Sequence, residues 1–326
     1  MARKKYTFNL ETDHPEYLKL KNLFDNMIVI PRHSNININE FGCEKSIKLK
    51  TDCDSIILKA ENDMISFENV PIGRYKLSCS KGKRNVKYIY VIYDALSEDP
   101  EVNISVERLE KAACDKKILR KYHFINDQKI YDGYVDQPES FVYAESNDER
   151  NVISWKHNQF SFIILDYVMD LVNKIPLKKR TIINIIKEIS SFEIIKKCHG
   201  CDLEKVLQCN DSLEIIKEFM KNRKPTLFGE SWTFACLNIS LLRSIGIPCR
   251  LLSYFASDDE MEYIMSSLKE RESIPTEVVN EFHTWTEFWS NGSWLPYVFE
   301  KIYVYEADGI NSKVVLEFDC RTWSCD

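Results

Sequence analysis

Along the first hundred or so residues, apolar side chains fall on alternate positions in short runs: "YTFNLET", "NMIVIP", "SIKLKTD", "DSIILKA", "YKLSCS" and "VKYIYVIYD". Turn-like stretches such as "PRHSN", "PIGR" and "SKGKR" divide them. Alternation belongs to strands with one face in a core, and several short strands at near-regular spacing predict a β-sandwich. The period then changes. After a polar connector from about Ser105, "FSFIILDYVMDLVNKI", "RTIINIIKEISSFEIIKK" and "SLEIIKEFMKN" carry apolar residues at helical spacing. A chain that switches from period two to period 3.6 implies an α+β architecture, and its length suffices for two domains or for one large core with additions.

Within the second region the stretch "FGESWTFACLNISLLRSIGIPCR", Phe228 to Arg250, is the most informative. Trp232, Ala235, Cys236, Ile239 and Leu242 fall at helical spacing and predict one buried face. Ser231 sits where an N-cap belongs, and Gly246 followed by Ile247-Pro248 ends the run as a helix stop. "CRLLSYF" then reads as a core strand. Further on, "EFHTWTEFWSNGSWLPYV" alternates His283, Trp285, Glu287 and Trp289 with Phe282, Thr284, Thr286 and Phe288. Asn291-Gly292 is a hairpin signal, with the returning strand from Trp294 onward.

A buried helix start is where a nucleophile gains most, because unpaired N–H groups and the helix dipole favour an anion. A histidine on a neighbouring strand can serve as base, and a carboxylate on the next strand can orient it. Ser231 and His283 occupy the first two places of such an order.

Composition removes several function classes. Nine glycines, with no P-loop or Gly-x-Gly-x-x-Gly fingerprint, disfavour a nucleotide-binding enzyme. The formal charge is −6, and the basic clusters Arg3-Lys4-Lys5, Lys81-Gly82-Lys83-Arg84 and Lys178-Lys179-Arg180 are short, so no nucleic-acid partner is expected. No run approaches the ~18 apolar residues of a membrane span. The basic N-terminus is followed by no apolar stretch, so the expectation is a cytoplasmic protein without a signal peptide. Eleven cysteines at scattered spacings fit reduced thiols there. Cys198 and Cys201 lack a second pair to close a zinc site, and no metal site is assigned.

Gly229-Glu230-Ser231-Trp232-Thr233-Phe234-Ala235 resembles the Gly-Gln-Cys-Trp-Val-Phe-Ala active-site signature of eukaryotic transglutaminases. "LLRSIGIPCRLLSYFAS" resembles the helix end and strand that follow it there, and Phe282-His283-Thr284-Trp285 resembles the family's His-x-Trp-Asn strand. Upstream, "VISWKHNQFSFIILDYVMDLV" is similar to a segment with a tryptophan, then Gln-Phe, then the first core helix. The similarity is colinear over most of the chain. It implies an immunoglobulin-like β-sandwich over residues 1–115 and a papain-like core over 116–326, with helices packed on an antiparallel sheet. The expectation from this likeness is that the two C-terminal β-barrels of the vertebrate enzymes are absent.

The resemblance also implies what is missing. The family's nucleophilic cysteine corresponds to Ser231, whose hydroxyl proton is far harder to remove than that of a thiol near pKa ~8.5. Its orienting Asp, four residues after a tryptophan on the returning strand, corresponds to Val298. Its oxyanion-stabilising tryptophan is lost, since no Trp lies between Trp155 and Trp232. His283 is kept. Glu287, four residues along the same strand, is the candidate rescue group, and Tyr297 or Glu300 are further groups able to approach. Trp232 and Trp285 read as cleft-lining walls. "SDDEMEY", Ser257 to Tyr263, is acidic near a place where the family binds calcium, but solvation explains it equally. No cofactor is assigned, and calcium is not favoured.

The expected function is that of a pseudoenzyme: a catalytically inactive transglutaminase-like protein that serves as a binding or scaffolding module for an unidentified protein. The frequent Ile, Lys and Asn hint at an AT-rich, viral or parasitic source, which would make that partner a host protein. The alternative readings are an acyltransferase or amidase acting on protein glutamine through Ser231 and His283, or a thiol protein-glutamine gamma-glutamyltransferase in which serine has replaced cysteine.

Overall fold

The computed structural model describes residues 27–79, 87–93, 99–103, 123–125, 138–146, 149–191, 193–197, 210–225, 227–229, 231–255, 282–297, 302–308 and 311–318. They form two compact units, interleaved in sequence. The first joins Met1–Ile104 with Gln159–Phe192 and Leu241–Ile247; the second joins Ser105–Asn158, Glu193–Ser240 and Pro248–Asp326. A boundary at residue 115 is therefore a boundary by resemblance, because later helical segments group with the N-terminal sheet.

In the first unit the strands are β1 (Met27–Pro31), β2 (Asn35–Asn37), β3 (Ser46–Lys50), β4 (Ser55–Lys59), β5 (Met64–Ser66), β6 (Gly73–Cys79) and β7 (Tyr88–Ile92). Five form one sheet in the order β1-β7-β6-β3-β4, with β1 parallel to β7 and the other pairs antiparallel. Ile47 and Leu49 of β3, with Tyr75 and Leu77 of β6, are buried, while Lys76 between them is exposed. That is the alternation read from the sequence. β2 and β5 pair separately and were not foreseen, since three-residue strands are too short to show a period. The run "YTFNLET" lies outside the described residues. One cysteine pair departs from the expectation of reduced thiols: Cys43 and Cys79 are joined as a disulfide, with Cα atoms 5.6 Å apart. The β3–β6 register, with Ile47 opposite Cys79, brings these distant positions together.

Helices α1 (Phe162–Lys174) and α2 (Ile182–Ser190) belong to the same unit. Ile182, Ile185, Ile186 and Ile189 of α2 repeat at i, i+3, i+4, i+7 and are buried, each contributing roughly 1.5–3 kcal/mol. Arg74 of β6 ties the sheet to α1, donating to Asp166 and Asp170, both at 2.6 Å. Burial opposes its charge, but the Asp166 hydrogen bond and the charges of Asp166 and Asp170 together outweigh that, and the guanidinium is held above its ordinary range. Burial also raises the phenols of Tyr75, Tyr90 and Tyr93. Neutral phenols are favoured in the folded state, so this stabilisation is full below the unfolded pKa of ~10 and is lost as pH rises through the higher folded values. Alkaline unfolding followed by ultraviolet absorbance is expected to show these tyrosines ionising together with the loss of fold, and not before it.

The second unit contains β8 (His123–Ile125), β9 (Glu139–Ser146), β10 (Glu149–Lys156), β11 (Ile195–Lys197), α3 (Ser212–Asn222), β12 (Leu227–Gly229) and most of α4 (Ser231–Ser244). It continues with β13 (Cys249–Phe255), β14 (Phe282–Ser290), β15 (Ser293–Tyr297), β16 (Ile302–Asp308) and β17 (Asn311–Phe318). The main sheet runs β15-β14-β13-β8 with every pair antiparallel, as an α+β core requires. Asn291 and Gly292 have φ of 51° and 85°, which makes the expected tight hairpin turn. Two readings change. β9 and β10 form a long hairpin where a polar connector was expected. The helical run after Arg180 stops at Ser190, and Ile195–Lys197 pairs parallel with β12 instead.

α4 starts at Ser231 itself, so the residue expected to cap the helix is its first member. Every residue from Trp232 to Ser244 is buried, where one buried face was expected. Gly246 terminates it with φ +82°, and a Cβ there would stand 2.1 Å from the Tyr93 carbonyl oxygen. The Tyr93 N–H donates to Ile245 O at 2.9 Å, so the backbones are locked at this approach. Gly246→Ala faces both a left-handed φ and a backbone clash and is expected to lose at least about 1–3 kcal/mol of stability, measurable by urea unfolding.

Candidate active site

The helix start is built from neighbouring elements. Asp211 caps α3 by accepting from Leu213 N and Glu214 N, at 2.9 and 3.4 Å, and it also accepts from Asn158 Nδ2 at 2.7 Å. This places Ser212 under the end of β10, where its Oγ accepts from the Trp155 indole N–H at 2.8 Å. Trp155 stands edge-on to Trp232, with ring centroids 6.0 Å apart and planes at 82°. Trp232 follows Ser231 directly, so the residue beside Ser231 is held by an aromatic contact. Trp232 and Trp285, expected along a cleft, are 2% and 4% exposed.

The sheet supplies the second half. β14 sets His283 opposite Tyr254, Trp285 opposite Leu252 and Glu287 opposite Arg250 on β13. Thr286 Oγ1 donates to Ala235 O at 3.1 Å, which links β14 to the first turns of α4. On the far side Tyr297, the last residue of β15, faces Thr286. Val298 follows it and lies outside the described residues, as do Glu300, Cys198, Cys201 and the acidic segment 257–263.

Glu287 has a partner. Its Oε2 accepts from Arg250 Nε at 2.7 Å and stands 2.6 Å from the second Arg250 nitrogen, with both side chains almost fully buried. Cross-strand register alone creates this pair, since the two residues are directly opposite. Four residues of strand also put roughly 13 Å between the His283 and Glu287 backbones. The arrangement supports an ion pair that holds the sheet, and it gives no support to Glu287 as the missing orienting carboxylate.

Sequence reasoning missed a group of polar residues behind α4: His157, Ser140, Ser212 and Ser240, all buried. Serines within apolar helical runs carry no periodic signal, and His157 was read only as part of a matching segment. Among the described residues no cluster of three or more His, Cys, Asp or Glu could hold a metal ion. No helix among them is long and apolar enough to cross a membrane.

Comparison with known proteins agrees with this arrangement. Residues 192–298 match the family model described as the transglutaminase-like superfamily, a span containing α3, α4 and β13–β15. Annulin of Schistocerca americana is 25% identical over 189 residues, covering 51% of this chain and 24% of annulin. Mouse protein-glutamine gamma-glutamyltransferase 4 is 22% identical over 248 residues, covering 73% of this chain and 35% of that protein. The crystal structure of red sea bream transglutaminase superposes with a TM-score of 0.57 at 17% identity, covering 86% of this chain and 50% of that one. The chain thus matches between a quarter and about a third of the length of these curated relatives, 24% and 35%. The matched core makes residues 192–298 a transglutaminase-like superfamily domain, and the chain shares the fold of the red sea bream enzyme.

Proposed function

We propose that this chain is a catalytically inactive transglutaminase-like protein whose core serves as a protein-binding or scaffolding surface. The observation that carries the reading is Ser231 as the first residue of α4, where the family signature has cysteine. Val298 in place of the orienting Asp, and the commitment of Glu287 to Arg250, point the same way. Several members of a cooperative unit are then absent at once, and such losses leave little of the rate enhancement. The N-terminal strands belong in this reading to an immunoglobulin-like sandwich, which the five-stranded sheet with its β2–β5 ribbon supports.

The test is incorporation of a fluorescent primary amine into a glutamine-rich protein, with and without calcium. The wild-type chain is expected to label no more than a no-enzyme control. Labelling that depends on Ser231 and His283 would instead establish acyl transfer through a serine and overturn the proposal.

A further inference from the structure

The interior of the second unit holds a titratable side chain that neither the helix start nor the sheet pair uses. His157 is fully buried just after β10. Its Nδ1 is 2.8 Å from Ser240 Oγ of α4, and its Nε2 is 2.8 Å from Ser140 Oγ of β9. Ser240 Oγ donates to Cys236 O at 2.8 Å and is 2.6 Å from Ser212 Oγ at the start of α3. Ser212 Oγ is the acceptor for the Trp155 indole, which in turn braces Trp232.

The hydrogens in this chain can be counted. An indole N–H only donates, so Ser212 accepts there and keeps its own hydrogen available for Ser240. A carbonyl oxygen only accepts, so the Ser240–Cys236 contact is filled only when the single hydroxyl hydrogen of Ser240 points there. Ser240 must then accept from the imidazole, which puts a proton on Nδ1. In the neutral ring Nε2 is bare and takes the hydrogen of Ser140. All five contacts are filled this way. The other neutral tautomer turns the Ser240 hydrogen toward Nδ1 and leaves the Ser240–Cys236 contact without one.

We propose that His157 is a positioning residue, held as the Nδ1–H tautomer, that anchors the middle of α4 at Ser240, and through Ser212 and Trp155 also Trp232 beside position 231, to β9, β10 and α3. The proposal goes beyond the pseudoenzyme reading and does not depend on whether residue 231 reacts. Anchoring the helix start would serve a binding surface and a reactive centre alike.

The first experiment needs no variant: a two-bond proton–nitrogen correlation spectrum of the full chain labelled with nitrogen-15 histidine. A ring protonated on Nδ1 with a bare Nε2 is expected. Protonation on Nε2 alone, or on both nitrogens at neutral pH, overturns the tautomer and the proposal with it. The second experiment compares two replacements. His157→Asn can offer an N–H near the Nδ1 position, whereas His157→Gln reaches only the Nε2 position. The Trp155 indole N–H is expected to exchange at nearly the wild-type rate in the Asn variant and about tenfold faster in the Gln variant, as for loss of one buried hydrogen bond. The circular-dichroism couplet of the Trp155–Trp232 pair should persist in the first and vanish in the second. If both variants keep the couplet, or both lose it, the Nδ1–H has no special role and the positioning assignment fails. Amine incorporation by the wild-type chain would sink the pseudoenzyme reading while leaving the histidine spectrum unchanged, so the two failures are distinguishable.

Discussion

Ser231→Cys is expected to leave amine incorporation at background, even though it restores the family's nucleophile. A thiolate at a helix start gains from the dipole, but it still needs a base held in one orientation and donors aimed at the developing oxyanion. In the Ser-His-Asp template, disabling the orienting carboxylate lowers kcat by about 10⁴. Losing one oxyanion donor lowers it by about 10²–10³. By the resemblance, Val298 corresponds to the carboxylate, and no tryptophan lies between Trp155 and Trp232. Ser231→Cys combined with Val298→Asp is therefore expected to exceed Ser231→Cys alone, by up to about 10⁴-fold, and to remain below an intact transglutaminase. Fluorescent-amine labelling of the three proteins in parallel measures this. Full turnover by Ser231→Cys alone would mean the site is otherwise assembled, and the scaffolding reading would have to be given up.

Glu287→Ala is expected to destabilise the second unit by about 3–5 kcal/mol, because it leaves the Arg250 charge buried without its carboxylate. Arg250 and Glu287 are among the most buried charges described, at 6% and 10% side-chain exposure. The Arg74–Asp170 pair, where Asp170 is 53% exposed, is expected to be worth about 0–1 kcal/mol when broken. Replacing Arg250 and Glu287 together with Met and Leu should lose much less than Glu287→Ala, since apolar groups carry no desolvation penalty. Urea unfolding of Arg250→Met, Glu287→Leu and the double variant gives the coupling energy directly. A loss below about 1 kcal/mol for Glu287→Ala would mean that the pair is solvated and that Glu287 remains a candidate partner for other groups.

Some elements were legible because a local pattern specifies them. "SLEIIKEFMKN" becomes α3 with the same bounds, and "CRLLSYF" becomes β13 with the same bounds. The Asn291-Gly292 turn and the Gly246 stop followed from the only residues that readily take positive φ there. Elsewhere the pattern misled. Ile195–Lys197 sits at the end of a run with helical spacing, yet a neighbouring strand claims it. The β9–β10 hairpin looked like a connector because its strands mix charged and apolar residues without a clean period. Cys43 and Cys79 gave no sign of pairing, since spacing in sequence does not report distance across a sheet.

The sequence by itself determined the class of architecture, the likeness to transglutaminases and the identities at the positions that likeness singles out: serine at 231, histidine at 283, valine at 298. Those are properties of residue type and order, and a change of hydrophobic period or a matching motif carries them without reference to space. Only the tertiary structure decided what each polar side chain does. Glu287 became half of a buried ion pair because the β13–β14 register set it against Arg250. His157 joined Ser140 and Ser240 because a hairpin and a helix, far apart in the chain, share one interior. A buried polar group must find its partner wherever the fold provides one, and that choice is made by long-range packing, which no local pattern encodes.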